Sequence, residues 1–246
     1  MNTESTAQPD PIQPQNHIDP EVCEKELDRD RARAPLDQLL RRPEVLLERL
    51  DGPGAGRTLA LLSVTLIAGF AAYGLVLASF SGGAQWWAAP TKLALGTLLA
   101  GALCFPSLFL FLILAGGEVR MRHVLGVWLG LCASTAIFLA GFGPVAWIFT
   151  QSSTLLAPLA VIHFVLWIGS LVGSQRVLRA GIRLWGARRG AWVGAWFVIF
   201  VLTSLQMSTT LRPLLGSADR FFDPTRKFFL VHWAESVDAD VRARKE

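Results

Sequence analysis

Charged side chains are scarce in the middle of this 246-residue chain, and none occurs between Lys92 and Glu118. Four further stretches are nearly as apolar. A water-soluble domain alternates polar with apolar residues, and apolar runs of this length exclude that class. As a helix, about 20 apolar residues cross roughly 30 Å of hydrocarbon. The sequence therefore predicts a multi-pass membrane protein.

Cysteine is equally rare, with only Cys23, Cys104 and Cys132 present. Their spacing excludes a disulfide framework, a zinc site and a redox pair. Cys104 and Cys132 lie in apolar stretches, where we interpret them as small apolar fillers. The first 35 residues lack an apolar core of the signal-peptide kind, so we expect no cleavable leader.

Motifs that carry known chemistry are also missing. The sequence has no Gly-rich phosphate loop, no H-E-x-x-H and no G-x-S-x-G. The apolar stretches hold no acidic residue, and no internal repeat is evident, which argues against a coupled inverted-repeat transporter. We expect no enzyme activity, no cofactor, no metal and no nucleic-acid partner. The net charge of +4 comes from basic residues beside the apolar stretches, where they set topology and meet anionic lipid.

The five apolar stretches and the leucine pattern that precedes them predict an all-α integral membrane protein. It is expected to be a bundle of five transmembrane helices with a juxtamembrane amphipathic helix. The transmembrane domain covers residues 57–215, with spans at about 58–80, 91–116, 123–149, 155–173 and 191–211. Pro106 lies inside the second span, where a missing backbone donor predicts a kink. The fourth helix is expected to continue past the membrane into a basic connection.

The flanking segments differ in composition. Residues 1–35 are polar and rich in proline, which predicts disorder. In residues 36–52 leucines recur at helical spacing, Pro43 restarts the helix, and Asp51-Gly52-Pro53-Gly54 ends it. This helix either lies on the membrane surface, which we favour slightly, or packs on the bundle. Residues 216–246 form an aromatic segment that lies at the outer interface or plugs the outer end of the bundle.

Basic residues near the span ends predict the orientation. An N-terminus inside the cell places eleven on the inner side and five on the outer side. The inner residues are Arg41, Arg42, Arg49, Arg57, Arg120, Arg122, Arg176, Arg179, Arg183, Arg188 and Arg189; the outer ones are Lys92, Arg212, Arg220, Arg226 and Lys227. We therefore expect a cytoplasmic N-terminus and an external C-terminus.

Four polar positions within or beside the spans are candidate sites. His163 is the only ionisable residue deep inside a span, and we favour a structural hydrogen bond to a neighbouring helix over a functional role. Gln206 is expected to bond between helices rather than bind a ligand. Arg212 and Lys92 either extend to the headgroups or capture an anion. Lipid-headgroup contact is predicted for Arg176, Arg179, Arg183, Arg188 and Arg189.

Two segments resemble a group of bacterial five-span proteins that are loosely similar in layout to Yip1-type membrane proteins. They are the second span, from Ala89-Pro90-Thr91-Lys92 to Phe105-Pro106-Ser107-Leu108, and Gln206-Met207 with Leu211-Arg212-Pro213-Leu214-Leu215-Gly216-Ser217. The resemblance implies a five-helix bundle in a bacterial cytoplasmic membrane. It implies no reaction or ligand, and it draws attention to the Gln206–Arg212 end of the last span.

These observations favour a non-enzymatic membrane component, a scaffold or subunit that contacts protein partners through its polar tail, or anionic lipids. The alternative is a channel or transporter of a small solute, with a path near His163, Gln206 and Arg212. An intramembrane enzyme is a third hypothesis, which the absence of a catalytic pair disfavours.

Overall fold

The structure is a computed structural model in which residues 35–81, 83, 85–152, 156–186 and 190–210 are described. Within them every regular element is helical. The elements are α1 (Pro35–Arg41), α2 (Pro43–Glu48), a 3-10 turn (Arg49–Asp51), α3 (Ala55–Ser81), α4 (Gln85–Leu114), α5 (Met121–Ser152), α6 (Leu156–Leu184) and α7 (Gly190–Thr210). The predictions for residues 1–34 and 216–246, Arg188, Arg189 and Arg212 lie outside the described residues.

Helices α3, α4, α5 and α6 are long and apolar enough to cross a membrane. This confirms a helical protein of the multi-pass membrane class. The apolar part of α7, Trp192–Met207, is shorter, so the fifth span stays a prediction. Helix α4 begins at Gln85 rather than at Thr91, because the turn residues end at Gly83 and nothing before Pro90 interrupts a helix. Trp86 and Trp87 therefore lie in its first turn.

Helix α5 is the centre of the bundle. Of its most apolar stretch 72% is buried, against 28% in α3, α4 and α6. It packs mainly on α3 and α6, while α4 packs on α3 and α7. Glycines allow close contact: Gly69 faces Ala136, and Gly101 lies against the ring of Trp128, leaving no room for a side chain.

Residues 35–51, here called the N-terminal layer, pack where the start of α5 and the end of α6 lie side by side. Leu39, Leu46, Leu47 and Leu50 are at most 1% exposed. This is the packed alternative and not the membrane-surface position that the leucine pattern favoured. Gly126 and Gly130 of α5 leave room for two of these leucines, since Leu50 fills the space where a Gly126 side chain would be and Leu39 lies 3.6 Å from the position of a Gly130 side chain.

Local signals in the sequence correspond to the helix boundaries. Pro43 is the first residue of α2, and the chain bends at Gly52 after the 3-10 turn. Helix α6 continues to Leu184, as the extension of the fourth span predicted. Pro106 stands inside α4, which runs on to Leu114, and the indole N–H of Trp196 donates to the Cys104 carbonyl at 3.1 Å. The kink at Pro106 stays a prediction.

Candidate functional site

Among the described residues, charge is concentrated at one end of the bundle. Of the described Asp, Glu, Lys and Arg residues, all but Lys92 lie at or near the end where the N-terminal layer meets α5 and α6, here called the charged end. Its basic residues are all arginines, nine against five acidic residues. They are Arg41, Arg42, Arg49, Arg57, Arg120, Arg122, Arg176, Arg179 and Arg183, with Asp37, Glu44, Glu48, Asp51 and Glu118.

His123 is the centre of a polar cluster at the charged end. Its Nε2 lies 2.8 Å from Oδ1 of Asp51, and its Nδ1 lies 3.2 Å from the backbone nitrogen of Arg120. The ring stacks on Trp185 with centroids 4.4 Å apart and an interplanar angle of 4°. The partners assign the tautomer: Nδ1 accepts from the Arg120 N–H, so Nε2 carries the proton and donates it to Asp51.

Arg122 completes this cluster, because its Nη2 donates to the same Asp51 oxygen at 2.9 Å. We call Asp51, Arg122, His123 and Trp185 the clamp. The hydrogen bond from His123, supported by the hydrogen bond and charge of Arg122, lowers the pKa of Asp51 against an opposing contribution from burial. The clamp therefore keeps its carboxylate charge to a lower pH than a free aspartate does.

A cleft of about 450 Å³ opens beside the clamp, lined by Asp51, Gly117, Glu118, Val119, Arg120 and His123. A catalytic Asp–His pair needs a second imidazole nitrogen able to take a proton from a substrate. Here that nitrogen, Nδ1, is bonded to a backbone N–H that begins α5. The geometry thus makes His123 a junction between the N-terminal layer and the start of α5.

Three further hydrogen bonds join elements at the charged end. Arg176 Nη1 donates to the Leu40 carbonyl at 2.7 Å, Arg183 Nη1 to Glu44 at 3.2 Å, and the Glu118 N–H to the Trp185 carbonyl at 3.0 Å. Two of the arginines predicted to contact headgroups thus also hold the N-terminal layer. Arg179 bonds Gln175 on its own helix at 3.1 Å. Their lipid contacts stay a prediction.

His163 lies in a second polar cluster, buried between three helices. The Tyr73 hydroxyl of α3 is 2.7 Å from Nδ1, and the Thr150 hydroxyl of α5 is 3.2 Å from Nε2. Thr150 donates its own proton to the Ala146 carbonyl at 2.7 Å, so it accepts from Nε2–H, and Tyr73 donates to Nδ1. Both ring nitrogens of His163 therefore have a hydrogen-bond partner when the histidine is neutral. The predicted interhelical bond is present, with side-chain hydroxyls as partners instead of a carbonyl.

Lys92 is 1% exposed and lies on the buried face of α4, together with Ala88, Ala89 and Gly96. The sequence predicts that it lies at the start of a span and either extends to the headgroups or captures an anion. The earlier start of α4 places it two turns inside the helix, and its burial argues against that extension. Among the described residues it is the only buried side chain of the Asp, Glu, Lys and Arg types.

The structure gives the other predicted site residues different surroundings. Gln206 is half-buried near the end of α7, which packs mainly on α4, whereas His163 faces α3 and α5. Within the described residues, no group of His, Cys, Asp and Glu side chains could hold a metal ion.

Sequence reasoning missed the partners in both clusters. Tyr73 is the single tyrosine of the chain and falls in an apolar span, which was a usable signal for a buried hydroxyl. His123, three residues after Arg120 at the start of a helix, fits the position from which a side chain caps the first turn. No protein-family model, curated protein or solved structure matches the chain. The resemblance to Yip1-type proteins accordingly stays a prediction.

Proposed function

We propose that this protein is a non-enzymatic, five-span membrane protein that acts as a scaffold or subunit of a membrane complex. The observation that supports this is the attachment of the N-terminal layer to the bundle. His123, Arg183 and Arg176 donate hydrogen bonds to Asp51, Glu44 and the Leu40 carbonyl, and these bonds, together with four buried leucines, fix the layer to α5 and α6. Residues 1–34 thus continue from a fixed platform, an arrangement suited to presenting a polar tail to a protein partner.

The charged end is the cytoplasmic end in this proposal. Among the described residues nine arginines lie there and only the buried Lys92 lies towards the opposite end, which supports a cytoplasmic N-terminus by the positive-inside rule. With α7 as a fifth span the C-terminus is external. The resemblance to bacterial five-span proteins supports a bacterial cytoplasmic membrane. Anionic headgroups are then the natural neighbours of the exposed arginines.

The two described histidines support a non-enzymatic function. His123 and His163 each have both ring nitrogens engaged, so neither has a nitrogen available to accept a proton from a substrate. The His163 cluster joins α3, α5 and α6 in the manner of an interhelical hydrogen bond. This saturation also disfavours the transport alternative, since a solute path needs polar groups that can exchange partners.

The test compares affinity capture of the full chain in mild detergent with capture of a variant that lacks residues 1–34, followed by mass spectrometry. The proposal expects a stoichiometric partner that the deletion removes. Solute flux into liposomes is measured in parallel for the wild type and for His163→Ala. Flux that His163→Ala abolishes, with no partner in either capture, overturns the scaffold proposal in favour of transport.

A further inference from the structure

One face of α6 is exposed along most of its length and changes from apolar to basic between Val172 and Arg176. Towards the opposite end it carries Val161, Val165, Gly169 and Val172; at the charged end it carries Arg176, Arg179 and Arg183. At 100° per residue these seven positions stay within about 40° of a common line. They form one continuous stripe, which we call the α6 stripe.

The apolar half of the stripe is shaped for a hydrocarbon chain. Val165 and Val172 are 60% and 54% exposed, and no atom comes within 4 Å of the position of a Gly169 side chain, which leaves a notch between them. From Val161 to Val172 the helix rises about 17 Å, close to half of the roughly 30 Å hydrocarbon thickness. The length therefore matches one leaflet.

The arginine half is built from two elements. Arg176 Nη1 is fixed by the Leu40 carbonyl of α1 and its Nε by the Gly173 carbonyl, which places the side chain directly below the apolar stripe. Arg41 and Arg42 follow Leu40 and are exposed beside it. Arg183 pairs with the carboxylate of Glu44, whereas Arg176 and Arg179 bond only uncharged oxygens and keep their positive charge for an added anion. A guanidinium group donates charge-assisted hydrogen bonds to phosphate oxygens.

We propose that one anionic phospholipid of the leaflet at the charged end binds along the α6 stripe. Its phosphate lies between Arg176 and Arg179, and an acyl chain lies over Gly169 between Val165 and Val172. The arginines at the charged end complement a phosphate group, and the apolar half of the stripe has the length of one leaflet. The site therefore fits a phospholipid better than a protein helix. The inference rests on the membrane-contact part of the proposed function and does not depend on the partner of the polar tail.

The experiment titrates the purified full chain with phosphatidylglycerol or phosphatidylcholine of identical acyl chains and counts bound lipids by native mass spectrometry. We expect at least five-fold tighter binding of phosphatidylglycerol, and about a five-fold loss in Arg179→Gln, which is the usual contribution of one basic residue at an anionic surface. Arg57→Gln is the matched control, because Arg57 is exposed at the same end and the net charge changes equally.

A second pair of variants tests the apolar half. Gly169→Leu fills the notch and should weaken lipid binding several-fold, whereas Gly194→Leu, at an equally open glycine on α7, should leave it unchanged. Equal binding of the two lipids, or equal losses in Arg57→Gln and Arg179→Gln, overturns the proposal. Displacement of the lipid by inorganic phosphate, with no effect of Gly169→Leu, also overturns the proposal, since the site then binds a phosphate group without contacting the acyl chain.

Failure of this proposal is distinguishable from failure of the proposed function. Capture of a protein partner is measured on the same Arg179→Gln preparation. A partner retained while the lipid preference is absent rejects the lipid site and leaves the scaffold standing. A lipid preference with the predicted variant pattern, but no partner in any capture, supports the lipid site and rejects the scaffold.

Discussion

The imidazole of His123 joins two segments of the chain that lie 72 positions apart, through a 2.8 Å contact between its Nε2 and Oδ1 of Asp51. The face of the same ring stacks on Trp185 at the end of α6. Because its Nδ1 also bonds the backbone at the start of α5, one side chain holds the N-terminal layer, α5 and α6 together. The clamp is thus the point where a local change should loosen the whole charged end.

Replacing Asp51 by Ala should destabilise the protein. The change leaves the buried N–H of His123 without its acceptor, at a cost of about 1–3 kcal/mol for an unsatisfied buried donor. The apparent Tm in detergent measures the effect. Glu48→Ala is the control, since Glu48 is an exposed acidic residue of the same layer and its replacement removes the same charge. Equal shifts in Tm for the two variants would contradict the role assigned to the clamp.

The contribution of Asp51 should depend on pH in a defined direction. Its pKa is lowered from the ordinary 3.8, so the folded state binds the proton less readily than the unfolded chain. The stabilisation is then present above pH 3.8 and is lost as the pH falls through the lower folded pKa. The difference in Tm between the wild type and Asp51→Ala should persist at pH 5 and close below pH 3.8. A difference that vanishes already at pH 5 would show that another group dominates.

Gly126→Leu should detach the N-terminal layer. The side chain of Leu50 occupies the space beside Gly126, so a new side chain there forces Leu50 out of its groove. Hydrogen exchange of the backbone amides in residues 35–51 is the measurement, with faster exchange expected. Gly141→Leu on the same helix is the control, because nothing lies within 4 Å of that position and the glycine is exposed. Unchanged protection in Gly126→Leu would contradict the docking described above.

The hydrogen bond between Tyr73 and His163 should be structural and modest in strength. Bonds between membrane helices contribute on average about 0.6 kcal/mol by double-mutant cycles. A cycle of Tyr73→Phe and His163→Ala, followed by unfolding in detergent, should give a coupling of roughly this size, up to about 1.7 kcal/mol. The variants should leave lipid and partner binding intact. A loss of partner capture in Tyr73→Phe would instead assign the cluster a functional role.

The helices could be predicted from the sequence because each apolar run has only one stable arrangement in a membrane. The leucines of residues 36–50 predicted a helix, but an apolar stripe does not specify what covers it. Their partner is a glycine groove on α5, near Gly126, more than seventy residues later in the chain. Small-residue pairs are common in membrane helices, so the pair Gly126 and Gly130 carried no signal of its own.

The clusters were harder to predict than the helices. His163 was recognisable as a buried polar residue, but its bond to Tyr73 spans 90 positions and depends on how α3 and α6 cross. Lys92 was assigned to the edge of the membrane because α4 was expected to begin six residues later than it does. Periodicity alone could not correct this, since Trp86 and Trp87 suit an interfacial loop as well as a first helical turn.

We propose that a polar tail, carried on a docked N-terminal layer, binds a protein partner. Quantitative affinity capture of that partner with the wild type, Gly126→Leu, Gly141→Leu, His163→Ala and the variant without residues 1–34 tests this. We expect a stoichiometric partner that is lost without residues 1–34, reduced in Gly126→Leu and retained in Gly141→Leu and His163→Ala. Capture that survives the deletion of residues 1–34, or that His163→Ala abolishes, would contradict it.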